Sequence, residues 1–67
     1  MSFKQYQIFV LNRDINPVIV KGMQGVILEV LDSDTYEVEF VKEDGTNYEY
    51  QDLFTFTLNK TDINEGK

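Results

Sequence analysis

Apolar and polar residues alternate most cleanly over Thr35–Phe40. Tyr36, Val38 and Phe40 share one side of an extended chain, and Thr35, Glu37 and Glu39 take the other. Period-2 alternation of this kind predicts a strand with one buried face. Just upstream, Val26–Val30 is nearly all apolar, which predicts a strand in the middle of a small sheet. Asp32-Ser33-Asp34 supplies side-chain acceptors for a tight turn between the two. The same reading predicts a first strand over Gln5–Leu11, a fourth over Thr46–Tyr50 and a fifth over Leu53–Leu58. Lys42–Gly45 is predicted as a hairpin turn, because Asp44-Gly45 tolerates the positive φ that primed turns demand.

Between the first two strands, Asn12–Lys21 begins with turn formers and holds the one proline. Pro17 has no N–H for a ladder and keeps Asn16 extended, so a loop or sheet margin is expected, with Val18-Ile19-Val20 folding over one barrel end. Gly22 and Gly25 bracket the start of the second strand and are expected to supply a positive φ or a close backbone approach there. Residues 1–4 are expected as a loose lead-in. Asn59–Lys67, polar apart from Ile63, is expected as a tail that frays at Gly66-Lys67. The whole predicts an all-β chain: a small barrel of about five antiparallel strands.

Composition sharpens this picture. At 67 residues the chain is one small domain, and a domain of this size buries only about 60% of the surface its unfolded chain exposes. With no Cys and no His it has neither a disulfide nor a histidine-bound metal as a staple. A barrel-like sheet is then an economical way to close a thin core. Hydrophobic content of 42% excludes general disorder. The missing cysteines fit a reducing compartment, the first residues show no basic segment followed by an apolar run, and no apolar run is long enough to span a membrane, so a cytoplasmic protein is expected. Charge matters more. The net value is −6, and between Glu29 and Asp52 nine acidic residues face Lys42 alone. Such a surface repels phosphate backbones, which disfavours direct nucleic-acid binding.

The pattern Gly22-x-x-Gly25-x-Ile27-x-x-Val30 resembles the glycine-plus-strand signature of the KOW motif and similar SH3-like barrels. A longer pattern is similar to a family of small bacterial proteins of uncharacterised function. It runs from Val10-Leu11 through Gly22–Val30 and Tyr36–Phe40 to Asp44-Gly45 and the last strand. The likeness covers roughly residues 5–58. It implies an SH3-like barrel and brings no catalytic residues with it; with the polar residues 59–67 read as a C-terminal tail, the barrel domain is expected over residues 1–58.

Candidate chemistry lies on the acidic positions. Glu37 and Glu39 are paired carboxylates on one strand face, with Glu29 and Glu49 expected on neighbouring strands. Together with Asp52, Tyr50 and Phe9 they are the expected surface for a basic protein partner. Phe9 and Tyr50 are expected at the surface because they alternate out of phase or sit at a strand end, whereas Phe40, Phe54 or Phe56 is expected to fill the core. The bland alternative is a solvated face that keeps the protein soluble. Acid–base catalysis needs carboxylates in a cleft, and no nucleophile–base pairing is visible, so no enzyme is expected. Asp32-x-Asp34 invites a calcium loop, but Glu37 stands where that loop needs glycine. No metal and no cofactor are expected. Asn59-Lys60-Thr61 spells a glycosylation acceptor without a secretory signal to give it meaning. The expected function is a non-enzymatic, acidic protein-binding module. Its most concrete form is an immunity- or antitoxin-type inhibitor of a basic partner such as a nuclease toxin. The alternative is a KOW-like RNA- or ribosome-associated module using the Arg13–Gly25 end.

Overall fold

The computed structural model describes residues 3–66. Its elements are β1 (Ile8–Leu11), β2 (Gln24–Val30), β3 (Thr35–Phe40), β4 (Phe56–Asn59), a single 3-10 turn η1 (Lys60–Asp62), and β5 (Ile63–Glu65). The strands form one antiparallel sheet in the order β4-β3-β2-β1-β5, curled into a half-barrel. The chain is all-β with five antiparallel strands, the class and number expected, although β5 lies in the expected tail and no strand forms over residues 46–50. Among the described residues no helix is long and apolar enough to cross a membrane.

The inner side of the sheet gathers the core. Phe9 and Leu11 from β1, Ile27 from β2, Tyr36, Val38 and Phe40 from β3, and Phe56 and Leu58 from β4 are buried. Phe9 meets Phe40 edge-on with ring centres 5.5 Å apart, and Phe40 tilts against Phe56 at 5.9 Å. Gly25 makes the first contact possible. It stands between Phe9 and Phe40 in the register, and a Cβ there would lie 2.5 Å from Phe9 Cζ and 2.7 Å from the Glu39 carbonyl oxygen. Phe9 is therefore a core residue, which corrects its expected surface position: opposite a glycine, its ring drops across β2 onto Phe40.

The first loop is held by Asn16, whose Oδ1 accepts from the N–H groups of Val18 and Ile19, both at 2.8 Å. This turn around Pro17 delivers Ile19 to the core and leaves Val18 and Val20 exposed, so one residue of the three caps the barrel end. Gly22, at φ 94°, makes the bend into β2.

Three further expectations change. Phe3 is not a loose lead-in: it is buried edge-on against Tyr36, and its N–H donates to the Tyr36 hydroxyl at 3.3 Å. Residues 1 and 2 lie outside the described residues, as does Lys67. The expected tail is in fact the end of the sheet. The Asn59 side chain accepts from the Thr61 N–H, and the Asp62 carboxylate accepts from the Asn59 N–H at 3.1 Å, a reciprocal cap on η1. That turn drives Ile63 into the core and lays β5 along β1, with Leu11 opposite Ile63. The Gly66 N–H then donates to the Ile8 carbonyl at 3.1 Å instead of fraying.

The third change concerns the two strands expected over residues 46–58. From the Gly45 turn the chain does return along β3, with Tyr48 N–H on the Phe40 carbonyl at 2.8 Å, but only Val41 and Asn47 pair as a bridge. It then leaves the sheet and rejoins β3 only at Phe56. A two-residue turn interrupts the run: Tyr50 and Leu53 exchange both backbone hydrogen bonds at 3.0 Å around Gln51 and Asp52, at φ 51° and 67°. Phe54 is exposed as a result, and the aromatic core contribution comes from Phe40 and Phe56.

Candidate functional site

The outer side of β3 presents Glu37 and Glu39. Glu37 lies directly opposite Glu29 on β2 and Thr57 on β4. Like charges opposed across strands repel, and Glu37 leans away from Glu29. One of its carboxylate oxygens accepts from the Thr57 hydroxyl at 2.7 Å and the other from the Thr55 hydroxyl at 2.8 Å. Glu39 accepts from the Asn47 side-chain amide at 2.7 Å. Both carboxylates are thus oriented by neutral donors, which hold the group and leave its charge uncancelled.

The opposition of Glu29 and Glu37 arises from a register shift between Ile27 and Glu29, a bulge at Leu28. Glu49 and Asp52 are exposed on the excursion between residues 49 and 55, outside the strands. Among the described residues no ion pair neutralises the group. Lys42 sits over the Tyr48 ring at 5.4 Å, and the ion pairs among the described residues join Arg13 to Asp62 and Lys60 to Asp34. Beside Glu39, exposed Ile8 and Val41 flank half-buried Val26 around a shallow depression of about 100 Å³.

A larger groove of about 530 Å³ runs beside β4, between the first loop and the Tyr50–Leu53 turn. Glu37, Thr55 and Thr57 line it on one side, and Ile15, half-buried Tyr50 and exposed Leu53 supply apolar surface.

Three other carboxylates secure turns. The Arg13 guanidinium and the Asn59 N–H draw the Asp62 carboxyl below its ordinary pKa, against the effect of burial. The Asp34 N–H does the same for Asp32, and the Thr46 hydroxyl and N–H do so for Asp44. No group of three or more His, Cys, Asp or Glu side chains able to hold a metal ion occurs among the described residues.

Residues 6–60 match the family model of a domain of unknown function, DUF4926. The chain belongs to the DUF4926 family. No curated protein and no solved structure matches it. The DUF4926 span takes in β1 to β4 and therefore the acidic side of β3 and both walls of the groove.

Of the residues expected at a binding surface in this DUF4926 chain, the sheet brings Glu29, Glu37 and Glu39 to one face. Tyr50 lines the groove, Glu49 and Asp52 are exposed on the excursion, and Phe9 is withdrawn into the core. Sequence reasoning did not single out Thr55, Thr57 and Asn47. The alternation Thr55-x-Thr57 was visible, but only the register of β4 on β3 sets those hydroxyls against Glu37.

Proposed function

We propose that this DUF4926 chain is a non-enzymatic acidic module that binds a basic protein on the outer side of β3, most concretely as an immunity- or antitoxin-type inhibitor of a basic partner such as a nuclease toxin. The observation that carries this reading is the pair Glu37 and Glu39, fixed by Thr55, Thr57 and Asn47 with no counter-charge among the described residues. Side chains already held in place lose little rotamer freedom on binding. An uncancelled negative face speeds encounter with a cationic surface and selects against anionic ones. Ile8, Val26 and Val41 alongside offer apolar contact that charge alone does not supply. An interface of ordinary size takes about 800 Å² from each partner, a fraction of roughly a fifth of this chain's 4465 Å². The KOW-like alternative, an RNA- or ribosome-associated module at the Arg13–Gly25 end, has less to draw on, because Arg13 is paired with Asp62.

Affinity capture from nuclease-treated lysate tests the proposal, comparing the wild type with a Glu37→Lys/Glu39→Lys variant. A basic protein held by the wild type and bound about tenfold or more weakly by the variant is the expected result. Equal retention by both would refute the reading.

A further inference from the structure

β4 ends the sheet on one side. Its register sets Tyr36 opposite Leu58 and Val38 opposite Phe56, and further along the same ladder the Lys60 N–H donates to the Asp34 carbonyl at 2.8 Å. Alternate residues of an antiparallel pair turn their backbone groups toward the partner. Leu58 and Phe56 therefore bond to β3, and the N–H and C=O of Thr57 between them point the other way, into the groove of about 530 Å³. An open edge of this kind is a template for another strand unless it is blunted. At the opposite edge, β5 is only three residues long and carries Glu65. The segment Thr55–Leu58 carries no charge and no proline.

The chemistry on the two sides of that edge differs. On the inner side the groove is apolar, with Ile15 and Tyr50. On the outer side Glu37 reaches over to β4, onto the hydroxyl of Thr57 and that of Thr55 just before the strand. Arg13, on the facing wall, is engaged by Asp62.

We infer that β4 accepts an extended segment of a basic protein as an added strand, with apolar and basic side chains in alternation. Strands lie about 4.8 Å apart. Because Glu37 already leans one strand over, a lysine or arginine on the added strand has about one strand spacing left to cover, within reach of its side chain. Its apolar neighbours turn to the Ile15 and Tyr50 side, as strand alternation requires. Backbone bonds to Thr57 supply affinity and the alternation supplies selectivity, the usual division in strand addition. This inference rests on the reading of the chain as a binder of a basic protein, and it names the segment and the edge that receives it.

The test uses the full chain, isotope-labelled for amide NMR, and the peptide acetyl-Val-Arg-Val-Arg-Val-amide. Amide shifts concentrated at Thr55–Asn59 are expected, with binding weakened about tenfold or more when glutamates replace the arginines or in Glu37→Gln. N-methylating either the arginines or the valines should abolish binding, and methylating the other set should not, because only one alternate set of N–H groups faces β4. Thr57→Pro, which removes an edge N–H that β3 does not use, should also lose the peptide. If that variant misfolds, the N-methyl series on the wild type decides alone. Shifts confined to the Glu29 and Glu39 region, indifferent to N-methylation, would overturn the edge site while leaving the acidic-face reading standing. A concentration-dependent dimer with the Thr57 amide protected would overturn it in favour of a second copy of this chain. Absence of any shift at millimolar peptide would overturn it outright, and the capture experiment with Glu37 and Glu39 would still test the broader reading independently.

Discussion

On the inner side of β3, Tyr36, Val38 and Phe40 are each no more than 1% exposed. On its outer side, Thr35, Glu37 and Glu39 are half-buried, and Glu37 is tied to residues 18 and 20 positions away. The two sides belong to the same six residues but answer to different physics. Inside, what counts is apolar volume in the right phase, and several side chains could supply it. Outside, what counts is which neutral donor lies opposite which carboxylate, a matter of register and of single atoms. One side holds the chain together. The other leaves a charge available.

The largest effect should come from breaking the inner side. Phe40→Ala removes the ring between Phe9 and Phe56, and a loss of about 3–5 kcal/mol is expected. A core this small supplies little more than that in total, so the variant should have lost most of its near-ultraviolet circular dichroism at 25 °C. If it melts within a few degrees of the wild type, the inner side is less decisive than its burial suggests.

Asp62 sharpens the contrast because it is a carboxylate that works as a core residue does. It is buried and accepts from Arg13 and from the Asn59 N–H. Asp62→Ala leaves those donors without their acceptor, and about 1–3 kcal/mol should be lost in urea titrations at pH 7. The pKa of Asp62 is lowered in the folded chain. Its contribution is therefore present above the unfolded carboxyl value of about 3.9 and is lost as pH falls through the folded one. Wild type and variant should converge in stability as the pH drops below about 4. A gap that persists unchanged to pH 2 would show that packing, not charge, is what Asp62 provides.

The smallest effect concerns the turn that positions Thr55 for Glu37. Asp52 sits at φ 67°, a conformation glycine adopts without steric cost. Asp52→Gly should raise stability by about 0.5 kcal/mol, seen as a rise of a few degrees in melting temperature. A fall instead would mean that the Asp52 side chain supports the turn.

The inner side of β3 was legible because period-2 alternation survives intact from Tyr36 to Phe40. The Lys42–Gly45 turn was legible because Asp-Gly advertises positive φ, and Gly45 has φ 90°. The Tyr50–Leu53 turn gave no such notice. Gln51 is an unusual host for positive φ and no glycine stands beside it, and Phe54-x-Phe56-x-Leu58 reads as one strand although the chain rejoins the sheet only at Phe56. β5 was hidden for the opposite reason: one apolar residue, Ile63, gives no period, and the strand exists because η1 is capped and β1 has an edge to fill. The burial of Phe9 is not legible along its own strand, because the space for its ring belongs to Gly25, on another strand. Among the candidate site residues, the outward direction of Glu37 and Glu39 could be read from alternation. Their threonine and asparagine partners could not, since pairing between strands is invisible to a pattern along one of them.

The bulge at Leu28 acts as a change of parity. Up to Ile27, odd-numbered residues of β2 face the core; after it, the paired sequence is shifted by one, so Glu29 stands over Glu37 and Val30 over Tyr36. Had the count run on unbroken, Glu29 would have fallen opposite Tyr36, a charge delivered to the aromatic interior, and Val30 opposite Thr35. A single supernumerary residue thus decides on which side of the sheet a whole strand end carries its charge.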